Sequence, residues 1–305
     1  MNERVIRVHE FRKLYDEFVA VDGISFDVKR GEIYGLLGPN GAGKTSTLES
    51  LEGLRAPDGG SLEVAGVDPS RDARGLRNVI GVQLQTSGLP ANINVDEAMK
   101  FFCAYHGVEP NFALLERLGL GEKRQTQYCE LSTGQQRRLA LALALAHEPQ
   151  VLILDEPTAG LDVGTRVELH NLMREQKQRG ATILLATHDM AEAEEMADQI
   201  GILLRGKLVA EGTPLEITAT GASLTKVSVR TEQAVLAGDG ALFPAVETMT
   251  EKDEYHIYFS TDIGPTVAAI IEYVEGKGDR LIDLRVERPS LEDRFLEITS
   301  EEVAR

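Results

Sequence analysis

Short apolar runs bounded by glycine or acids mark the first two-thirds of the chain: EIYGLL over 32–37, VLIL over 151–154 and TILLA over 182–186. Their length and β-branched content predict strands, and VLIL, apolar at every position, predicts a strand covered on both faces in a parallel sheet. The first run leads into a glycine-rich turn and then a helical pattern over 44–54. LALALALA, 139–146, predicts a buried helix. Between Gln85 and Leu131 the period turns helical in VDEAMKFFCAYHG and PNFALLERLGLGE, with Phe101, Phe102 and Tyr105 expected in core packing. After Gly212-Thr213-Pro214 the small residues of TATGASL predict a boundary. Beyond it LTKVSVR, YHIYFS and LIDLRVE alternate as strands, while PTVAAIIEYVEGKG and SLEDRFLEITSEE read as helices, the second opened by a Ser290/Asp293 capping box. The pattern predicts a large domain over 1–218, with helical periodicity over about 86–145, and a small α/β domain over 222–305 without a catalytic constellation.

The glycine-rich turn reads Gly38-Pro39-Asn40-Gly41-Ala42-Gly43-Lys44-Thr45. Glycines let consecutive backbone N–H groups point inward as an anion nest, and a helix N-terminus adds the positive end of its dipole. Polyphosphate fits such a loop, with Lys44 on the β and γ phosphates and the Thr45 hydroxyl placed for Mg²⁺. Phosphoryl transfer also needs carboxylates, and VLIL ends in Asp155 and Glu156. Asp155 is the expected anchor for Mg²⁺ and Glu156 the expected base for an attacking water. The TILLA run delivers Thr187, His188 and Asp189 to the same edge, which places His188 in reach of a γ-phosphate.

Composition narrows the rest. The chain has 305 residues, enough for a core and an accessory unit, and its 42% hydrophobic and 27% charged residues exclude disordered and collagen-like classes. Against 32 Lys and Arg stand 49 Asp and Glu, a net charge of −17 that argues against nucleic-acid binding and against basic docking on anionic lipid. No window reaches the roughly 18–20 apolar residues of a membrane span, and MNERVIRVHEF lacks the pattern of a signal peptide. The two cysteines, Cys103 and Cys129, have no metal spacing and are expected in or near a core in a reduced, cytoplasmic setting.

LSTGQ, Leu131 to Gln135, followed by QRRLALALALAHEP just ahead of VLILDE, completes an order of motifs that resembles the ATP-binding subunits of ABC transporters. The resemblance covers about residues 4 to 218. It implies a P-loop NTPase fold with the family's helical subdomain, in which Gly38 to Thr45 is Walker A and Ser46 reaches the α-phosphate. Asp155 and Glu156 are similar to the Walker B acid and catalytic glutamate. Gln85 resembles the glutamine that senses Mg²⁺ and water, with Gln83 a second glutamine in the same segment. Tyr15, ahead of the first strands, resembles the aromatic that stacks on adenine. Asp162 resembles the D-loop aspartate, and His188 the switch histidine. Ser132, Gly134 and Gln135 would close on nucleotide held by a second copy, so the resemblance implies a dimer, of itself or with a homologous subunit, around two MgATP. The signature departs from the commonest form by having Thr133 where glycine is usual. The implied partner is a membrane permease docked near residues 86–94, which would hold the chain at the inner face of the cell membrane. PSLEDRFLEIT resembles an ending common in drug and antibiotic exporters, and the C-terminal domain is expected in dimer contact or regulation. A soluble ABC ATPase of translation or repair is the alternative, weakened by the single nucleotide unit and the lack of coiled-coil insertions.

Overall fold

The structure, a computed structural model, describes residues 3–84, 88–219, 224–236 and 243–303. The chain divides into two compact units, Met1–Pro214 and Leu215–Arg305.

Within the first unit β1 (Arg4–Tyr15), β2 (Phe18–Lys29) and β4 (Gly59–Val64) form an antiparallel sheet in the order β2-β1-β4. The six-stranded sheet that carries the chemistry runs β5-β6-β7-β3-β8-β9, using β3 (Ile33–Leu37), β5 (Ile80–Gln83), β6 (Val151–Asp155), β7 (Thr182–Thr187), β8 (Gln199–Leu204) and β9 (Lys207–Gly212). Its pairings are parallel except β8 with β9. Every residue of β3, β6 and β7 is buried, as apolar runs covered on both faces require. Helix α1 (Lys44–Leu51) follows β3 and ends three residues short of the pattern in the sequence, because Gly53 turns left-handed at φ 73° and Leu54 N–H closes back on Glu49 O. α2 (Ala73–Val79) leads into β5.

Helices α3 (Val95–His106), α4 (Phe112–Arg117) and α5 (Thr133–Leu145) make the helical region, and Leu115, Met99 and Leu139 share its core. The core face of α3 is Val95, Ala98, Met99 and Cys103, a spacing of three and four. Phe101 and Tyr105 fall on the other face and are 63% and 56% exposed, so they are not core residues as their sequence suggests; Phe102 is half-buried against the core. Cys129 is exposed rather than packed, while Cys103 is buried beside Met99. α6 (Val163–Gln178) packs on β7, and α7 (Met190–Met196) packs on β3 and β7.

The second unit holds α8 (Pro214–Ala219, which begins in the first unit), β10 (Thr225–Thr231), β11 (Val246–Lys252), β12 (Tyr255–Ser260), α9 (Ile263–Gly276), β13 (Leu281–Glu287) and α10 (Leu291–Val303). Its antiparallel sheet runs β11-β12-β10-β13, and Val227, Val229, Tyr258, Ile270 and Val274 form its core with α9. β11 has no counterpart among the sequence expectations. Its residues are exposed at nearly every position, so it has no alternation to read.

Candidate active site

The loop 38–43 depends on glycine at two points. Gly38 lies at φ 155° with Leu203 O 2.2 Å from where a Cβ would stand, and Gly43 lies at φ 108° with Ala20 O at 2.6 Å. Only glycine brings the backbone through both gaps. Gly43 then starts α1 without a side-chain cap. Each helix from α2 to α7 has one: Asp72, Asn94, Asn111, Ser132, Asp162 and Asp189 accept from a first-turn N–H. The orphan donors of α1 therefore face the loop with no side chain of their own to satisfy them, which is the local chemistry of an anion site.

A pocket of about 330 Å³ lies over these donors, lined by Tyr15, Phe18, Ala20, Pro39, Asn40, Gly41, Ala42, Gly43, Lys44, Thr45, Ser46, Asp155 and Glu156. Lys44 is buried; its Nζ donates to Gly38 O at 2.5 Å and to Pro39 O at 3.3 Å and lies 3.9 Å from Glu156 Oε1. Burial lowers its pKa, with Glu156 and Asp155 acting in the opposite sense. The Thr45 hydroxyl donates to Asp155 Oδ2 at 3.3 Å, and burial raises the Asp155 carboxyl against that hydrogen bond. Such a carboxylate is short of positive charge, and a hydroxyl beside it is an oxygen pair suited to a hard divalent cation completed by phosphate and water. Among the described residues no group of three or more His, Cys, Asp or Glu could hold a metal by itself.

Glu156 sits at φ 50°, the left-handed region, and its N–H donates to Ala186 O at 2.9 Å, which ties the end of β6 to β7. Its Oε2 accepts from His188 Nδ1 at 2.7 Å, so Nδ1 carries the proton. The carboxylate is buried and the His188 side chain is 61% exposed.

Tyr15 is the last residue of β1, not ahead of the first strands as the sequence suggests; its hydroxyl shares a hydrogen bond with Ser46 Oγ at 3.2 Å, and Arg55 lies over its ring at 5.2 Å. Phe18, 63% exposed, opens β2 across the same turn and lines the same pocket, a residue missed in the sequence although KLYDEF carries both aromatics.

Ser132, Gly134, Gln135 and Asp162 do not line this pocket. Ser132 and Gln135 form a reciprocal capping box at the head of α5, in which the serine Oγ accepts from Gln135 N–H and keeps its own proton to donate. Asp162 caps α6 through both oxygens, to Thr165 N–H and Thr165 Oγ1, and the first of these bonds chiefly holds its carboxyl low. Thr133 is exposed beside them. Gln85 lies outside the described residues; Gln83 is buried at the end of β5.

A second, apolar concavity of about 690 Å³ is lined by Leu54, Leu84, Phe101, Tyr105, His147 and Glu52 among others. His147 stacks on His106 at 3.7 Å, and burial with this neighbour lowers its pKa to about 4. Glu52 is buried and neither oxygen has a hydrogen-bond partner among the described residues; burial, with Asp155 and Glu49, raises its pKa to about 8.

Among known proteins, the family model described as "ABC transporter" matches residues 21–159. Similar chains include a Nod factor export ATP-binding protein I of Paraburkholderia xenovorans, 37% identical over 99% of both chains. A daunorubicin resistance ATP-binding protein of Streptomyces coeruleorubidus is 34% identical over 99% of this chain and 98% of its own. Of solved structures, an ATP-binding subunit of an ABC transporter is 28% identical with a TM-score of 0.67 over 70% of this chain and 92% of its own. A dimeric bacterial ABC transporter cassette is 25% identical, TM-score 0.62, over 68% and 98%.

Proposed function

The chain belongs to the ABC transporter ATP-binding family, and from that premise we propose that two copies, or one copy with a homologous subunit, close around two MgATP to drive export through a separate membrane permease. The observation that carries this reading is the division of the site: an uncapped helix and its acids share one pocket, while the capped signature segment lies outside it. One chain alone holds half of each site.

In this mechanism the loop amides, Lys44 and Ser46 hold the phosphates, and Tyr15 with Phe18 flanks the base. Thr45 and Asp155 would hold Mg²⁺, with Gln85 in the same shell by family resemblance; the ion supplies charge neutralisation on the transferred phosphoryl. Glu156, buried and aimed by His188 Nδ1, accepts a proton from the attacking water, and His188 donates from Nε2 to the γ-phosphate in the form that carries a proton on both ring nitrogens. Ser132, Gly134, Gln135 and Asp162 of the other copy complete the enclosure. Leu54, Phe101 and Tyr105 give the apolar concavity a surface that suits a permease's cytoplasmic helix, and the relatives named for export of Nod factor and for daunorubicin resistance support an exporter. No helix of the described residues is long and apolar enough to cross a membrane; in this reading the permease supplies the membrane attachment.

The test uses tagged Glu156→Gln protein. With MgATP it should become dimeric by light scattering, lose turnover by about 10² or more, and co-purify from solubilised native membranes with a multi-span chain. A monomer at saturating MgATP, or near-normal turnover, would overturn the shared site or the role of Glu156. Ribosomal or repair proteins in place of a permease would support the soluble alternative.

A further inference from the structure

Near the Glu156–His188 contact is a second polar contact set, none of whose residues lines the pocket over α1. Glu192, on α7 and four residues past His188, has a side chain only 1% exposed. Its Oε2 accepts from the Thr158 hydroxyl at 3.0 Å, and its Oε1 lies 3.3 Å from His170 Nε2. Thr158 and His170 are buried as well. Three segments meet on this one carboxylate: the turn that carries Glu156, the helix α6 capped by Asp162, and the helix α7 that follows His188.

A carboxylate in such a place is costly unless its partners stay put, so it fixes the distance between the groups it joins. Thr158 is two residues from Glu156, whose left-handed φ gives its turn no intrinsic preference for that shape. The Glu156 N–H bond to Ala186 holds the backbone at one end of the turn. The Thr158–Glu192 bond holds the other end and anchors it to the helix behind His188. Asp189 caps that helix by accepting from Glu192 N–H at 3.0 Å, which fixes the start of α7 against the same group.

We propose that Glu192, acting through Thr158 and braced by His170, is a positioning residue for hydrolysis: it keeps the Glu156 turn and the His188 helix in one frame. The inference rests on the reading of Glu156 as the base. Because neither Thr158 nor Glu192 lines the nucleotide pocket, the effect belongs in turnover and not in ATP affinity.

The test is steady-state ATPase kinetics on the full chain with Thr158→Val, which keeps the side chain's shape, Thr158→Ser, which keeps the hydroxyl, and Glu192→Gln. Thr158→Val should lower kcat about 10-fold with KM for ATP unchanged, the scale of a small misplacement of a reacting group. Thr158→Ser should restore kcat, and the double variant Thr158→Val/Glu192→Gln should be no slower than the slower single one. Wild-type kcat in Thr158→Val, or a loss that Thr158→Ser does not rescue, would overturn the positioning role. Glu156→Gln runs in parallel. If it is inactive while Thr158→Val is fully active, only this inference fails; if it hydrolyses normally, the base assignment fails and this inference with it.

Discussion

The nucleotide edge of the first unit and the open sheet of the second are both dense in charge, and they treat it in opposite ways. At the edge, Lys44 and Asp155 are buried with incomplete partners, so burial lowers one pKa and raises the other. On the sheet, Tyr255 donates to Asp283 at 2.6 Å, Arg285 pairs with the same carboxylate, and hydrogen bonding chiefly holds Asp283 low. The sheet's charges satisfy one another in water, where such pairs contribute little. Those at the edge are desolvated against their charged forms. Charge density therefore does not mark a site; the coincidence of burial with incomplete pairing does.

The largest expected effect that would break this contrast is at Lys44. Lys44→Ala should weaken ATP binding at least 10-fold, read by fluorescent-nucleotide titration, because the donor now folded onto Gly38 O is the cation the phosphates would take over. Unchanged affinity would put the edge in the same class as the sheet.

Glu52 sharpens the comparison, since it is buried without a hydrogen-bond partner among the described residues but faces the apolar concavity. Its folded pKa of about 8 stands above the ordinary 4.5. The folded state therefore keeps a proton that the unfolded chain releases, and stability is lost as pH rises from about 4.5 through 8. Glu52→Gln removes that loss: its Tm should exceed the wild type by about 2–4 °C at pH 8, and the gap should close toward pH 5. A pH-independent difference would show that the carboxyl is not the cause.

The smallest effect belongs to the sheet. Tyr255→Phe removes the hydroxyl that Asp283 and Arg285 share, and it should leave Tm within about 2 °C and ATPase rates unchanged. A fall in turnover would give this face a part in the reaction that its self-contained pairing argues against.

The readable parts of the chain are those whose cause is local. The 38–45 loop, the acids ending β6 and the Ser132 cap each depend on residues within a few positions, and sequence spacing preserves that information. What could not be read depends on neighbours far away in sequence. Phe101 and Tyr105 share a helix with core residues, and only the packing of α3 decides which face meets solvent. Glu192 lies in AEAEEM, which has the composition of a solvated helix; its burial follows from Thr158 and His170 standing 34 and 22 residues away. β11 exists because β12 offers it an edge, not because its own residues alternate.

The left-handed backbone at Glu156 has a consequence for descent. Any side chain held there costs about 1 kcal/mol that glycine would not, so the replacement that best relieves the fold is also one that removes the carboxylate. With Glu156 read as the base, in a lineage freed from the need to hydrolyse ATP selection for a sturdier fold and decay of the enzyme would point the same way, and drift would find the inactive form easily. Nucleotide-binding relics of this fold should therefore be more robust than their working ancestors.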